Sequence, residues 1–570
     1  MPGPYFTSRR SFLLQSASVL ALPPVRSVRG VEAEPFARVA EAPAAMQIFS
    51  DPASTPSPGV DLSRQGDRWQ AKGIEVTVTP GAGLSTLQLK APGKEVSRLH
   101  LRWLGSPAAN LLYLGDHWER SYGDLAWRHL EPERILPWYF LATGSDTTHA
   151  CGVKTGAAAL CFWQVDSDGI SLWLDLRNGG RAVQLRDREL LLATLVGRSY
   201  KSISTFAADR HFCQELCSSP RLPVRPVYGG NNWYYAYGKS SASEIRSDSE
   251  RVAKWADSNT NRPYMVIDDG WQPNRTAGPW ASGNADFPDM AKLAADMRGI
   301  GVEPGLWVRP LFTREEVAPS WRLQSPQANK AQGKNRGFTL DPTVPEVLEM
   351  VRADIERVAG WGYQLIKHDF STYDLLGRWG FDMAAVLTEP GWGFSDGSRT
   401  TAEIVLAFYR TIREAAGQSL VLGCNTIGHL GAGLFELQRT GDDTSGRDWN
   451  RTRKMGVNTL AFRACQHNTF FAIDADCVGL TKQVAWQQNR QWLDLLARSG
   501  TPLFVSAAPS AVGPEEEKAL RAAFHAAATV QPVGEPLDWL TSSEPEHWRL
   551  GKQNAKFDWF TQTGGSPFIG

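Results

Sequence analysis

The pattern of hydrophobic and polar positions changes character along the chain. Over about 65–200, short runs such as 73–79 alternate between apolar and polar residues, and Gly, Asp and Asn clusters separate them. Alternation with period two, broken by frequent turn signals, is typical of an antiparallel β-sandwich. A helix-like stretch at 203–217 and a Pro-rich joint at 220–226 follow. We therefore predict an N-terminal β-sandwich domain over 65–222.

Beyond the joint, short apolar runs alternate with longer amphipathic stretches, which is the pattern of βα units. Eight candidate strands lie near 227–233, 264–267, 305–308, 363–367, 420–423, 435–439, 470–473 and 502–506. Eight such units in about 280 residues fit one (β/α)8 TIM barrel, which we predict over 223–514. The predicted fold class is therefore multidomain α/β plus β, with a central barrel.

The two ends of the chain have other patterns. Arg9 and Arg10 precede a short apolar stretch that ends near Leu22, which is typical of a twin-arginine signal peptide over 1–30. The Pro-, Ala- and Ser-rich residues 31–64 indicate a linker, and 515–570 indicate a short C-terminal segment with β character. We predict an exported, periplasmic or secreted protein whose mature chain does not insert into a membrane.

Composition excludes several classes of function. Sixty basic and sixty acidic residues cancel, and there is no polybasic run, which argues against nucleic acid or an anionic membrane as partner. The 7 Cys show no CxxC spacing, and neither His368 nor His429 has a partner at metal-ligand spacing. We expect no metal and no cofactor, mostly buried cysteines and at most two disulfides. The oligomeric state stays open, a homo-oligomer included.

Polar side chains follow the predicted barrel strands where each strand ends, which is where (β/α)8 barrels carry their chemistry. The acidic ones are Asp268, Asp269, Asp369, Asp442 and Asp443, and the others at strand ends are Trp233, Trp307, Lys367, Asn425 and Arg439. A single Asp after a strand is an ordinary turn or helix cap. Acids after several strands in register, with aromatic residues between them, indicate a sugar site instead.

Glycoside hydrolysis requires two carboxyl groups on opposite sides of the scissile bond. Lys367 lies two residues before Asp369 on the same face of its strand and would keep that carboxylate ionised, as a nucleophile requires. The adjacent acids Asp442 and Asp443 would raise one pKa, which suits a proton donor. Asp268 and Asp269 suit hydrogen bonds to sugar hydroxyls.

Five short motifs in this region resemble, in the same order, those of the α-galactosidase clan. They are Val-Ile-Asp-Asp-Gly-Trp-Gln at 266–272, Gly-Leu-Trp-Val at 305–308, Leu-Asp-Pro-Thr at 340–343, Ile-Lys-His-Asp at 366–369 and Arg-Thr-Gly-Asp-Asp at 439–443. The resemblance is closest to glycoside hydrolase family 36, with family 27 as its near relative. It implies a retaining glycosidase that removes terminal α-linked galactose from a carbohydrate substrate.

The resemblance also implies a role for each matching residue. Asp369 matches the nucleophile, and Lys367 matches its partner, which also touches the sugar. Asp268 and Asp269 match the pair that binds the galactose 4- and 6-hydroxyls. The remaining matches are Trp233 and Trp307 as pocket aromatics and Arg439 as the arginine ahead of the acid/base.

The sequence leaves three questions open. The Arg-x-x-x-Asp spacing selects Asp443 as acid/base, which we prefer, whereas alignment on the small residue selects Asp442. The loop at 424–433, which includes Asn425, departs from the Cys-x-x-Gly-Gly pattern that meets the sugar 2-position in relatives. An α-N-acetylgalactosaminidase or a raffinose-synthase-like transferase is therefore an alternative, and a non-catalytic carbohydrate-binding barrel is the alternative of a different class.

Overall fold

The computed structural model of the chain describes residues 35–53, 58–328 and 337–560. The predicted signal peptide at 1–30 lies outside these residues. Within the described ranges, no helix is long and apolar enough to cross a membrane.

The N-terminal third consists of antiparallel strands in a six-stranded sheet, an eight-stranded sheet and one two-stranded ribbon. In chain order the strands are β1 (Ala45–Phe49), β2 (Val60–Asp61), β3 (Ser63–Gln65), β4 (Arg68–Ala71), β5 (Ile74–Gly81), β6 (Leu84–Lys90), β7 (Glu95–Val96), β8 (Arg98–Leu104), β9 (Leu112–Gly115), β10 (Leu136–Pro137), β11 (Tyr139–Thr143), β12 (Thr147–Val153), β13 (Leu160–Asp166), β14 (Gly169–Asp175), β15 (Val183–Gln184) and β16 (Leu190–Lys201). The six-stranded order is β10-β13-β14-β8-β1-β2, and the eight-stranded order is β3-β4-β5-β6-β16-β12-β11-β9.

The prediction of a linker over 31–64 needs correction, because part of this segment belongs to the two larger sheets. Strand β1 pairs with β8 over five residues, and its burial alternates as expected for a strand with one covered face. A 3-10 helix over Ala37–Ala40 precedes it, and β3 joins the second sheet. The Pro- and Ala-rich composition predicted a linker here, whereas β1 is a short strand that is stabilised by its pairing with β8 and β2.

Nine strands after the Pro-rich joint form one parallel sheet. They are β17 (Tyr228–Asn231), β18 (Tyr264–Ile267), β19 (Glu303–Val308), β22 (Leu365–His368), β23 (Leu420–Gly423), β24 (Leu437–Arg439), β25 (Ala472–Asp474), β26 (Cys477–Leu480) and β27 (Leu503–Ala507), and between β19 and β22 a small antiparallel pair is formed by β20 (Phe312–Thr313) and β21 (Phe338–Thr339). Each of the eight predicted strands overlaps one of them, and β18 and β23 match residue for residue. The sequence did not predict β26.

The parallel sheet is curved around a small apolar cluster of its own. Its order runs from β25 through β24, β23, β22, β19, β18, β17 and β27 to β26. The two end strands, β25 and β26, are separated by only two residues of chain. The cluster takes Val266, Leu365, Leu422, Leu437 and Phe504 from five different strands. Side chains from so many strands reach one another only on the concave face.

Helices pack against the parallel sheet and, in the case of the first, against β12 and β16, and several begin at recognisable signals. The helices are α1 (Thr205–Leu216), α2 (Trp233–Ala236), α3 (Ala242–Trp255), α4 (Met290–Ile300), α5 (Pro345–Gly360), α6 (Ser371–Leu376), α7 (Thr401–Ala415), α8 (Gly428–Gly431), α9 (Trp449–Thr452), α10 (Thr459–Arg463), α11 (Trp486–Arg498) and α12 (Pro514–Ala527). Thr400 and Glu403 form a capping box at the start of α7. Asp289 caps α4, which ends at Gly301 in the left-handed conformation.

The C-terminal segment forms a three-stranded antiparallel sheet, in line with the β character predicted for it. Its strands are β28 (Glu535–Pro536), β29 (His547–Leu550) and β30 (Gln553–Lys556). Trp548 and Trp559 are buried there. Trp539 meets Trp127 of the N-terminal region edge-on at 5.3 Å and Phe462 of the parallel-sheet region at 5.8 Å. This small sheet therefore packs against both larger parts of the chain.

All seven cysteines are buried with free thiols. The disulfides that an exported chain would permit are therefore absent from this structure. Burial raises the pKa of the Cys151 and Cys161 thiols, so these groups stay protonated and unreactive.

A buried ion pair links α7 to the parallel sheet and gives a stability prediction. Glu436, next to β24, accepts hydrogen bonds from Arg413 at 2.7 and 2.9 Å and from the Val421 N–H at 2.9 Å. The Glu436→Gln variant would leave the buried Arg413 charge without its counter-ion, and we expect it to lose roughly 3–5 kcal/mol of stability. Thermal unfolding of both proteins measures the effect.

The matched control for this substitution is Glu535→Gln. Glu535 pairs with Arg549 at 2.8 Å, but the arginine side chain is 53% exposed. We expect a change below about 1 kcal/mol, because water and salt screen exposed pairs. An equal loss of stability in the two variants would contradict the prediction that the buried Glu436–Arg413 pair stabilises the fold more than the exposed pair.

Candidate active site

The carboxyl ends of the parallel strands bring the predicted site residues to one edge of the sheet. Asp268 follows β18, Asp369 follows β22, and Asp442 and Asp443 follow β24. Trp307 and Lys367 are register partners in the adjacent strands β19 and β22. The alternation of side chains along β22 puts Lys367 and Asp369 on the concave face, as predicted from period two.

Asp369 is held by hydrogen bonds to both carboxylate oxygens. Oδ1 accepts the backbone N–H groups of Phe370 at 2.7 Å and Asn425 at 3.0 Å, and Oδ2 accepts the indole N–H of Trp307 at 3.0 Å. Burial pushes the pKa of Asp369 up, but the charges of Arg120 and Lys367 and the Trp307 hydrogen bond outweigh it and lower that pKa. Asp369 is therefore a buried carboxylate that stays ionised.

Lys367 is the centre of a second polar group beside Asp369. Its ammonium donates to Asp268 Oδ2 at 2.7 Å, and Asn231 Nδ2 donates to the same oxygen at 2.8 Å. Asp269 accepts Gln272 Nε2 at 2.6 Å and the Thr276 N–H at 2.8 Å through Oδ1. Burial raises the pKa of Asp269. Two buried acids and one cation thus lie at the same end of the strands as the ionised Asp369.

The two acids after β24 have different surroundings. Asp442 pairs with Arg120 at 2.8 Å and Arg451 at 2.7 Å, and these cations lower its pKa against the effect of burial. Asp443 meets Arg439 at 3.4 Å, but desolvation and the neighbouring carboxylates of Asp442 and Asp476 raise its pKa. The Asp443 side chain is 36% exposed against 19% for Asp442. Asp443 is therefore the more exposed of the two acids and the one whose protonated form persists to higher pH.

Asp476, between β25 and β26, fixes the loop that carries Asp443. Its Oδ2 accepts the Thr444 N–H at 2.8 Å and the Thr444 hydroxyl at 2.9 Å. Arg439 pairs with the same carboxylate at 2.9 Å, and the Tyr234 hydroxyl also donates to it. The residue after Asp443 is thus tied to the two-residue gap between β25 and β26.

The N-terminal β region contributes a segment that the sequence reasoning missed. Ser121 forms a parallel bridge with Gly441, with the Ser121 N–H donating to Thr440 O at 2.9 Å and the Asp442 N–H donating to Ser121 O at 3.0 Å. Beside it, Arg120 reaches Asp442 and Glu119 accepts the Asn425 amide. These partners lie more than 300 positions away along the chain. The run of charged and aromatic residues at 116–122 is the only sequence signal for this contact.

Three predicted binding residues lie deeper than expected. The Asn425 side chain is fully buried, bound to Glu119 and to the Tyr373 N–H at 3.1 Å, so this residue meets Asp369 only through its backbone. Trp307 is also buried and faces Asp369 with its N–H. Arg439 lies beneath the acids, with its Nη1 3.5 Å from the Cys424 sulfur. Trp233 is half-buried and packs on Tyr237 with ring centres 5.5 Å apart.

The two histidines near strand ends, His368 and His429, are held by packing and hydrogen bonds within the protein. His368 points to the outer face, where it is bonded to Ser371 and ringed by aromatic side chains, and burial lowers its pKa to about 3. His429 stacks on Trp138 at 4.7 Å and bonds to Val153 O at 2.8 Å. In the described ranges, no group of three or more His, Cys, Asp and Glu side chains is arranged to hold a metal ion.

Comparison with models of known protein families gives no match, and comparison with curated proteins gives none either. Solved structures, in contrast, match over most of the chain. An α-galactosidase from Thermus thermophilus (TtGalA), in complex with p-nitrophenyl α-D-galactopyranoside, is 18% identical with a TM-score of 0.56, covering 85% of this chain and 96% of its own.

Two further structures agree with this match. A variant of the GH36 α-galactosidase AgaA from Geobacillus stearothermophilus, in complex with raffinose, is 14% identical with a TM-score of 0.57, covering 89% of this chain and 76% of its own. The galactosidase domain of an α-galactosidase–sucrose kinase, AgaSK, is 13% identical with a TM-score of 0.55, covering 84% and 73%. Together these likenesses show that the chain has a multidomain fold like that of the GH36 α-galactosidases.

Proposed function

We propose that the chain is a retaining glycoside hydrolase that removes terminal α-linked galactose from an oligosaccharide or glycan. One arrangement carries the proposal: at the carboxyl ends of the parallel strands, Asp369 is bonded by the Trp307 indole and two backbone N–H groups, which with Arg120 and Lys367 favour its ionised form, and burial beside Asp442 and Asp476 favours the protonated form of Asp443. Glycosidases separate their nucleophile from their proton donor in this way. The fold shared with α-galactosidases directs the choice of sugar.

We also propose the finer architecture that this function needs. The curved parallel sheet would close as a (β/α)8 barrel over 223–514, with β25 and β26 together filling the seventh position. The six- and eight-stranded sheets would form a β-sandwich that begins near 37 rather than 65; Trp163 and Phe140, one from each sheet, meet at 5.9 Å. Export by the twin-arginine route stays a prediction.

The reaction would proceed by two displacements. Asp369 attacks the anomeric carbon as the bond to the leaving oxygen breaks, and Asp443 gives its proton to that oxygen. Ionised Asp443 then takes a proton from water, whose oxygen attacks the same carbon and releases Asp369. Oδ2 of Asp369 has the indole of Trp307 as its one donor, whereas Oδ1 has two backbone donors, so Oδ2 is better placed to attack.

The remaining polar groups suit the bound sugar. The carboxylates of Asp268 and Asp269 are acceptors for neighbouring hydroxyls, and Lys367 beside them is a donor. The indole of Trp233 offers an apolar face to the ring. Arg439 would balance the negative charge of Asp443 and Asp476, with which it pairs.

A panel of 4-nitrophenyl glycosides tests the proposal. We expect turnover of the α-galactoside, none of the β-galactoside, and α-galactose as the first product seen by proton NMR. Appearance of the β-anomer first would overturn retention. Faster turnover of the α-N-acetylgalactosaminide would overturn galactose as the sugar, and absence of turnover on every α-glycoside would overturn the hydrolase assignment.

Arg120 gives a prediction about the contribution of the N-terminal region. Arg120 is the main cation lowering the pKa of Asp369 and also binds Asp442. We expect Arg120→Met to lower kcat/KM roughly 10- to 100-fold. The pKa of Asp369 would rise, so the nucleophile would lose its charge at a higher pH than in the wild type. The acid limb of the pH–rate profile would therefore shift to higher pH.

Arg128→Met is the matched control for Arg120→Met. This arginine is 44% exposed and pairs only with Glu131 at 3.8 Å among carboxylates of the described chain. We expect wild-type kinetics and an unmoved acid limb. An Arg120→Met enzyme with an unmoved acid limb would show that Arg120 does not act on Asp369.

A further inference from the structure

Asp476 is a buried carboxylate that the reaction described so far does not use. It lies between β25 and β26, and its side chain is 6% exposed. Its backbone is in the left-handed region, with a φ of 71°. Asp adopts this conformation more readily than most residues, but it persists only where surrounding contacts hold it. A charged residue held in this way indicates a role that depends on where its carboxylate points.

One oxygen of Asp476, Oδ2, joins several parts of the candidate site. Besides the N–H and hydroxyl of Thr444, it accepts the hydroxyl of Tyr234 on α2 and pairs with Arg439 of β24. Tyr234 is itself fixed, because its backbone N–H donates to the Ser506 hydroxyl of β27 at 2.9 Å. Segments that follow β17, β24 and β25 are thus linked through one oxygen atom.

Arg439 divides its charge between Asp476 and Asp443. Its Nη2 lies 2.9 Å from Asp476 Oδ2 and 3.4 Å from Asp443 Oδ1. The cation is therefore closer to Asp476 than to the proposed acid/base. A full ion pair with Arg439 would favour the ionised form of Asp443, which cannot give a proton. Asp476 acts against that pair by holding the same nitrogen.

Titratable and charged groups from several elements face Asp443. They are Arg439, Asp442, Asp476, Arg120, Arg451, Tyr234 and Tyr237. Burial raises the pKa of Asp443, and the negative charges of Asp442 and Asp476 raise it further. Two arginines of its own balance the charge of Asp442. Asp476 in addition binds the residue that follows Asp443, so it acts on both the charge and the position of the proton donor.

We propose that Asp476 is a positioning residue for the proton donor, holding the loop that carries Asp443 through Thr444 and drawing Arg439 away from Asp443. The inference deepens the proposed function and rests on it. In the first displacement, the O–H bond of Asp443 breaks as its proton passes to the leaving oxygen. Asp476 exchanges no proton in this step. Its influence is therefore limited to substrates whose leaving group needs a proton.

The test removes the charge of Asp476 and keeps its shape. In Asp476→Asn the amide oxygen can still accept from Thr444, and Asn also adopts the left-handed conformation, but Arg439 is left to pair with Asp443. The measurement is kcat/KM against pH for an α-galactosyl disaccharide, whose leaving group needs a proton, and for α-galactosyl fluoride, which needs none. We expect the alkaline limb for the disaccharide to move to lower pH by roughly one unit, with about a tenfold loss of kcat/KM on that limb. The fluoride should be nearly unaffected.

Thr444→Val separates the position of the proton donor from its charge. It removes the hydroxyl that Asp476 holds, and it leaves every charge and the backbone N–H of residue 444 in place. We expect kcat/KM for the disaccharide to fall several-fold with the alkaline limb unmoved, and the fluoride again to be spared. If Asp476→Asn does not fold, this variant still decides the result, because no loss, or an equal loss on both substrates, would overturn the proposal.

Asp494→Asn on α11 is the matched control, because Asp494 pairs with Arg498 at 2.8 Å and is 47% exposed. It should keep the wild-type profiles on both substrates. An alkaline limb that stays at its wild-type position in Asp476→Asn, or that moves equally in Thr444→Val, would overturn the positioning role. Failure of the wild type to hydrolyse either substrate would overturn the proposed function instead.

Discussion

Asp369→Asn is expected to abolish turnover, with kcat lower by a factor on the order of 10⁴ or more. An amide nitrogen or oxygen cannot form the covalent glycosyl intermediate that a carboxylate forms. The side chains have the same shape, and the amide oxygen can still accept from the Phe370 and Asn425 N–H groups. The loss would therefore be chemical. Steady-state kinetics on the best α-galactoside, with a thermal unfolding midpoint for each protein, measures it.

The control for this change is the same substitution at a surface carboxylate. Asp296 on α4 pairs with Arg246 and Lys292, far from the cleft, and Asp296→Asn should keep wild-type kcat. Asp369→Asn with more than a tenth of wild-type kcat, in a preparation free of wild-type enzyme, would remove Asp369 from the role of nucleophile.

Asp443→Ala is expected to have the second largest effect, and the effect should depend on the leaving group. For a sugar leaving group, which needs a proton, we expect kcat/KM to fall by about 10²–10⁴. For a fluoride leaving group the first step should be nearly unaffected. Azide needs no general base, so it should restore turnover of the variant and give α-galactosyl azide as product.

The pH profile gives an independent check of the Asp443 assignment. Desolvation and two neighbouring carboxylates raise the pKa of Asp443, so its acidic form persists to higher pH than an ordinary aspartate allows. For a sugar leaving group, kcat/KM of the wild type should fall as pH rises through that pKa. For the fluoride, which needs no proton from Asp443, the wild-type profile should lack this alkaline limb.

Asp442→Ala is the matched comparison for Asp443→Ala. Two arginines lower the pKa of Asp442, which makes it a poor proton donor at neutral pH. We expect a smaller loss and no response to azide. Azide rescue of Asp442→Ala but not of Asp443→Ala would reverse the two assignments.

Local periodicity predicted much of the barrel-like region and of the site. The parallel strands are buried apolar runs whose ends carry polar residues, so Asp268, Asp369 and the Asp442–Asp443 pair could be placed at one edge from the sequence. Period two also placed Lys367 on the same face as Asp369, and its charge acts on Asp369 as expected. These features depend on residues close together in the sequence.

The parts that sequence reasoning missed depend on distant partners. Arg120 and Glu119 follow no hydrophobic period, and their partners after β23 and β24 are brought close only by the folded chain. Strand β1 is short and lies in Pro-rich sequence, so only its pairing with β8 makes it a strand. The sequence also did not predict how deeply a residue is buried. Asn425 was expected to be accessible at a strand end, but its side chain is fully buried.

Covalent trapping tests the central claim most directly. A 5-fluoro-α-galactosyl fluoride forms the glycosyl-enzyme at a useful rate and releases it slowly, so the intermediate accumulates on the nucleophile. Intact-protein mass spectrometry should show one added fluorogalactosyl group, and peptide mapping should place it on Asp369. A label on any other carboxylate, or turnover of the reagent without a label at any time, would contradict double displacement through Asp369.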